Sequence, residues 1–211
     1  MSDIQEFGIE VSKKMRYYML GNIEKADTLL IALHGFGQLS KYFIKKFEFL
    51  PENYLILAPE GMHRFYLQGN SGRVGASWMT KEARELDIEE NTIALQTLLK
   101  TIKANKQFSK IILLGFSQGG ATAARWYFSD AEQFDHLILW ASVFPPDLEK
   151  PALEINSQNY FVLGNQDEYY TESQQLSEIA AYKEIGFNTI YFEGKHDIQQ
   201  STLSELLSKI S

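Results

Sequence analysis

The sequence predicts an α/β fold: a mostly parallel, eight-stranded sheet with helices on both faces, in one domain spanning residues 1–211 and without a lid domain. Three observations predict it. Short apolar runs such as Thr28-Leu29-Leu30-Ile31-Ala32-Leu33 recur along the chain, the pattern of strands buried on both faces. From the third run onward they largely alternate with segments of helical spacing. No linker, repeat or low-complexity tract divides the 211 residues, a length that fits one large domain.

Taken in order, Phe7–Val11 and Met15–Leu20 have strand character, and Ser12-Lys13-Lys14 between them predicts an antiparallel hairpin at one edge. Thr28–Leu33 predicts a buried strand ending in His34-Gly35-Phe36-Gly37. Ser40 is placed to cap a helix running to about Leu50, where Pro51 ends it. Tyr54–Ala58 is the next strand. Glu60 to about Glu85 is irregular and rich in glycine, with Phe65, Tyr66 and Trp78 embedded in it, and predicts a long ordered loop. Asp87 with Glu90 resembles a capping box, opening a helix with Ile88, Leu95, Leu98, Leu99 and Ile102 on one face.

Lys110–Leu114 predicts a strand and Ala121–Ala124 a helix. Leu137–Trp140 is a further strand, after which Pro145, Pro146 and Pro151 suppress regular structure. Tyr160–Leu163 runs into Gly164-Asn165-Gln166-Asp167. Thr171 opens a helix that Gly186 stops. Thr189–Phe192 leads to Gly194-Lys195-His196-Asp197, and Ser201 is placed to cap a final helix.

Composition excludes several chemistries. The chain has no cysteine, so a disulfide framework, a thiolate metal site and a cysteine nucleophile are ruled out. A formal charge of -7 weighs against nucleic acid or an anionic membrane as partner. The first residues have neither a basic nor an apolar stretch of the kind a secretory signal needs, and no apolar run approaches a membrane span. The expected location is cytoplasmic, and the expected partner is a small molecule.

One stretch carries the chemistry. Between the Lys110–Leu114 strand and the Ala-rich helix lies Gly115-Phe116-Ser117-Gln118-Gly119, a G-x-S-x-G motif. Strand, tight turn and helix form the context in which this motif exposes a serine hydroxyl as a nucleophile. Functional groups on parallel sheets gather at the C-terminal strand ends. By that rule His196, just past the last strand, is the expected base. His34 belongs to a glycine loop and is expected to brace it, His63 lies in the irregular segment, and His136 starts a strand at the opposite edge. Asp167 follows the penultimate strand and is the expected orienting carboxylate, with Glu168 as rival. Asp197 points elsewhere. The order Ser, Asp, His is that of α/β-hydrolases. The expected oxyanion donors are the backbone N–H groups of Gln118 and Phe36. Tyr66, Trp78, Phe144 and Tyr169 are candidate substrate-pocket walls, with Phe65 and Tyr170 beside them, and Arg73 is a candidate for meeting an anionic substrate group.

Leu33-His34-Gly35-Phe36-Gly37, Gly115-Phe116-Ser117-Gln118-Gly119-Gly120, Ser77-Trp78, the Asp167 loop and Gly194-Lys195-His196 together resemble the phospholipase/carboxylesterase family of the α/β-hydrolase superfamily, which includes acyl-protein thioesterases and small bacterial carboxylesterases. The resemblance implies the triad Ser117, Asp167 and His196, the Phe36 and Gln118 oxyanion donors, and no metal or organic cofactor. Two features depart from that family: Lys195 stands where a small residue is common, and the Ser142–Tyr160 stretch is too short and Pro-rich for a full helix. The expected activity is hydrolysis of carboxylic esters of small to medium acyl chains through an acyl-serine intermediate. Thioester or lysophospholipid cleavage on the same triad is the alternative. A non-catalytic binding protein on the same scaffold is the alternative from another class.

Overall fold

The computed structural model describes residues 3–148 and 158–210. Its centre is a seven-stranded sheet made of β1 (Tyr17–Leu20), β2 (Thr28–Leu33), β3 (Tyr54–Pro59), β6 (Lys110–Phe116), β7 (His136–Trp140), β8 (Tyr160–Gly164) and β9 (Asn188–Phe192). The spatial order is β1-β3-β2-β6-β7-β8-β9, and every pairing is parallel except that of edge strand β1 with β3. A separate antiparallel ribbon, β4 (His63–Gln68) with β5 (Ser71–Ser77), stands outside the sheet. The helices are α1 (Ser40–Phe43, continued by a 3-10 turn to Phe47), α2 (Arg84–Asn105), α3 (Gln118–Ser129), α4 (Glu172–Glu184) and α5 (Gln200–Ile210). Strands β2 and β3 are buried at every position, as continuous apolar runs covered on both faces require.

Several expectations are corrected. Among the described residues the sheet has seven strands, not eight, because residues 3–14 carry no regular structure and stay exposed. Ser12-Lys13-Lys14 lacks the Gly, Asn or Asp that a tight hairpin turn needs. The Glu60–Glu85 segment contains the β4–β5 ribbon, turned through Gly69 (φ 71°). Ser40 does not cap α1; Leu39 holds that position, and Ser40 Oγ donates to Pro59 O at 2.6 Å. Helix α2 starts at Arg84 rather than Asp87, whose carboxylate accepts the Thr80 N–H from inside the helix. Helix α5 begins at Gln200, one residue before the expected cap. Thr171 does cap α4, with the reciprocal Gln174 contact of a capping box, and Gly186 follows that helix at φ 89°. Pro151 lies outside the described residues.

Register positions the site. Leu33 pairs with Gly115, and Gly164 with Phe192. The loops after β2 and β6 therefore leave the sheet side by side, as do those after β8 and β9.

Candidate active site

Ser117 occupies the turn between β6 and α3 at φ 53° and ψ -122°, a backbone region that non-glycine residues rarely adopt. The surroundings hold it there. Its N–H donates to Trp140 O at 2.9 Å, and its carbonyl accepts from Gly120 N–H at 2.9 Å. The flanking glycines let the backbones meet. A Cβ on Gly115 would lie 2.5 Å from Gly119 O, and one on Gly119 would lie 2.4 Å from Leu33 O. The motif's glycines are thus required by close approach.

The β8 and β9 loops are stitched together. Asn165 N–H donates to Phe192 O and Gln166 N–H to Gly194 O, both at 2.8 Å. The stitching sets Asp167 against His196: His196 Nδ1 donates to Asp167 Oδ2 at 2.6 Å. The Asp167 side chain is fully buried, and its other oxygen accepts Tyr169 N–H at 3.0 Å. A buried carboxylate so satisfied fixes the imidazole with Nε2 as its open lone pair. The rival Glu168 reaches only the His196 backbone N–H, at 3.4 Å. Asp197 pairs with Lys46 at 2.6 Å instead.

The His196 ring lies 4.9 Å from that of Phe116, the residue before Ser117. Ser117 Oγ and His196 Nε2 are not hydrogen-bonded among the described residues. Free enzymes commonly tighten such contacts only with substrate bound.

The loop after β2 lies against the serine, and a Cβ on Gly35 would come 3.2 Å from Ser117 Cβ. Its amides are used selectively. Gly35 N–H donates to Gln38 Oε1, Gly37 N–H to Ala76 O and Gln38 N–H to Gly35 O. Among the described residues the Phe36 amide has no partner, and neither has Gln118 N–H at the start of α3, where helical amides point outward. Two open donors flank the serine.

His34 braces this loop from below, as expected. It is fully buried, its Nδ1 donates to Gly35 O at 2.7 Å, and its Nε2 accepts from Gly61 N–H at 3.0 Å. Burial pulls its pKa down to about 4. Of the other histidines, His63 lies 2.9 Å from Asp87, and His136 holds Gln158 O from the start of β7.

The expected pocket walls lie in different surroundings. Tyr169 borders the site, its ring 4.4 Å from that of His196. Trp78 is fully buried and donates from its indole to His34 O at 2.8 Å, so it supports the loop. Phe144 packs between Phe128 and Tyr182, in a cavity of about 290 Å³ beside α4. Tyr66 projects from the ribbon face opposite Phe65. Sequence reading missed the Phe36 side chain, which is exposed and stacks on Phe65 at 5.0 Å. Its signal was present: an aromatic in a glycine loop beside the nucleophile. Among the described residues no group of three or more His, Asp and Glu is arranged to hold a metal, and no helix is long and apolar enough to cross a membrane.

A parallel sheet flanked by helices, with a serine at a strained strand-to-helix turn and an Asp–His pair on the last two strand ends, defines an α/β-hydrolase. Its fold is similar to that of carboxylesterase from Mesorhizobium loti (TM-score 0.73, 16% identity, covering 93% of this chain and 94% of that one). It is also similar to esterase PE8 (TM-score 0.69, 19% identity, 94% and 100% covered) and to Zea mays acyl-protein thioesterase 2 (TM-score 0.67, 15% identity, 92% and 97% covered). No curated protein sequence matches the chain. The chain belongs to the serine hydrolase (FSH1) family, whose model matches residues 24–203.

Proposed function

We propose that this serine hydrolase cleaves carboxylic esters of small to medium acyl chains, with Ser117 as nucleophile, His196 as general base and acid, and Asp167 as its orienting partner. The buried Asp167–His196 bond at 2.6 Å carries the reading. The Phe36 and Gln118 amides, both without partners among the described residues, support it as the oxyanion donors. Ser117 Oγ swings onto His196 Nε2, gives up its proton and bonds to the ester carbonyl carbon. The carbonyl oxygen takes the negative charge between the two amides. Collapse expels the alcohol, which receives the proton from His196. Water, deprotonated by His196, then releases the acid and restores the serine. No metal or organic cofactor enters this cycle, and its cytoplasmic location and small-molecule partner remain the reading of the sequence.

A thioester would react through the same groups, and a chain-length series of oxygen esters run against acyl thioesters separates the two. Intact-mass analysis after a fluorophosphonate probe tests the nucleophile. One adduct on Ser117, lost in Ser117→Ala and slowed in His196→Ala, is expected. An unlabelled, folded wild type overturns the assignment.

A further inference from the structure

We infer that an anionic group of the substrate binds in the groove beside the Phe36 loop, and that Arg73 selects for it. The inference rests on the serine-esterase reading above.

The groove has a volume of about 720 Å³ and is lined by Gly37, Leu39, Tyr42, Phe43, Lys46 and Arg73, among others. Three of its lining residues connect to residues next to the proposed catalytic groups. Gly37 directly follows the proposed oxyanion donor Phe36. Phe43 stacks on Phe116 with ring centroids 6.0 Å apart. Lys46 pairs with Asp197, the neighbour of His196.

Its charge runs against that of the molecule. The chain carries 27 acidic and 20 basic side chains, yet among the described residues no carboxylate lines this groove. Lys46 and Arg73 do, and Lys41 lies over the Tyr42 ring at 4.8 Å. Lys46 is offset by Asp197. Arg73, exposed on β5, has no ion-pair partner among the described residues. Its planar fork of donors matches a carboxylate or phosphate. The floor of Leu39, Tyr42, Phe43 and Val74 is apolar. An apolar floor with an unpaired guanidinium fits a short hydrocarbon segment ending in an anion. The substrate class is therefore an ester with a carboxylate on its acyl part or a phosphate on its alcohol part.

Two matched substrate pairs test this and distinguish the two anions. The acyl pair is 4-nitrophenyl hexanoate against the mono-4-nitrophenyl ester of adipic acid. The alcohol pair is glycerol monoacetate against acetylglycerol phosphate. In one pair kcat/KM should favour the anionic member by about tenfold or more. Arg73→Gln should cut that preference to about twofold with the neutral member unchanged, Arg73→Lys should restore part of it, and about 0.5 M salt should erode it. Equal rates within both pairs, or a preference that survives Arg73→Gln, overturns the inference while neutral turnover leaves the esterase reading standing. Absence of turnover in every substrate, with no fluorophosphonate adduct on Ser117, removes both.

Discussion

Gly120 and Ser142 are packed so closely that a methyl group on Gly120 would lie 2.2 Å from Ser142 Oγ and 2.3 Å from its Cβ. Gly120 lies in α3, where alanine ordinarily adds about 1 kcal/mol over glycine. Here the collision reverses the sign, and Gly120→Ala should destabilise by about 1–3 kcal/mol. Ser142→Gly removes both opposing atoms. The double variant should therefore recover most of the loss, with a coupling of at least about 1 kcal/mol in urea melts. Simple additivity would show that the contact relaxes without cost.

Asp167→Asn should lower kcat by about three to four orders of magnitude, because an amide favours the wrong imidazole tautomer. Glu168→Gln should change it by less than about fivefold, since Glu168 touches only backbone at His196. Steady-state kinetics of the two variants on one ester separates the roles, and an equal loss in both would count against Asp167 as the sole orienting group.

His34 gives stability a pH dependence. Its folded-state pKa of about 4 lies below the ordinary value of 6.5, because burial opposes the charged ring. The unfolded chain therefore binds the proton more readily. The contribution is fully present above about pH 6.5 and is lost as pH falls towards 4, to the extent of about 2–3 kcal/mol. Urea melts between pH 7 and pH 4.5 should show this fall, and His34→Gln should flatten it.

Asp147 supplies the second acid-sensitive contact. Arg125, almost wholly buried on α3, donates to its carboxylate at 2.8 and 2.6 Å, and Arg84 at the start of α2 adds a contact at 2.5 Å. Arg125 above all holds Asp147 well below the usual carboxylate range; burial opposes it, and Arg84 adds a lesser pull in the same direction as Arg125. Its stabilisation is present above about pH 4 and lost as pH falls below that. Asp147→Asn leaves the Arg125 guanidinium buried without a counter-charge. It should cost about 2–3 kcal/mol, the lower end for broken buried pairs because Asp147 is a third exposed. A calorimetric scan at pH 7 reads it directly.

The sheet strands and the Ser117 turn were legible because their signals are local: apolar runs, and glycines at fixed spacing around one serine. The pairing of Asp167 with His196 was legible because the strand-end rule reduces a three-dimensional question to position along the chain. The β4–β5 ribbon was hidden because Gly69, Gly72 and Gly75 replace the β-branched residues that mark strands. The first expected strand failed for the opposite reason: Phe7, Ile9 and Val11 alternate correctly, but alternation supplies no partner. The pocket walls were least legible. Trp78 and Tyr169 are alike in sequence terms, yet one is fully buried and the other 73% exposed; that depends on how loops fold back.

The ribbon outside the sheet leaves the two halves of the site on unequal footing. Ser117 is embedded where β6, α3 and the main core meet, and it holds its shape as long as the core does. The Phe36 loop, braced from below by His34, is tied at its far end to the ribbon, through Gly37 N–H to Ala76 O and Ala76 N–H to Gln38 O. Two-stranded ribbons are marginal on their own, so this half opens at a lower free energy than the core. On warming, this half is expected to open first, leaving the serine and the Gln118 amide in place but taking away the Phe36 amide, the other donor proposed for the charge on the substrate's oxygen. Inactivation is then expected to precede melting, with the temperature ceiling set by the fifteen residues of ribbon and turn, 63–77, rather than by the sheet.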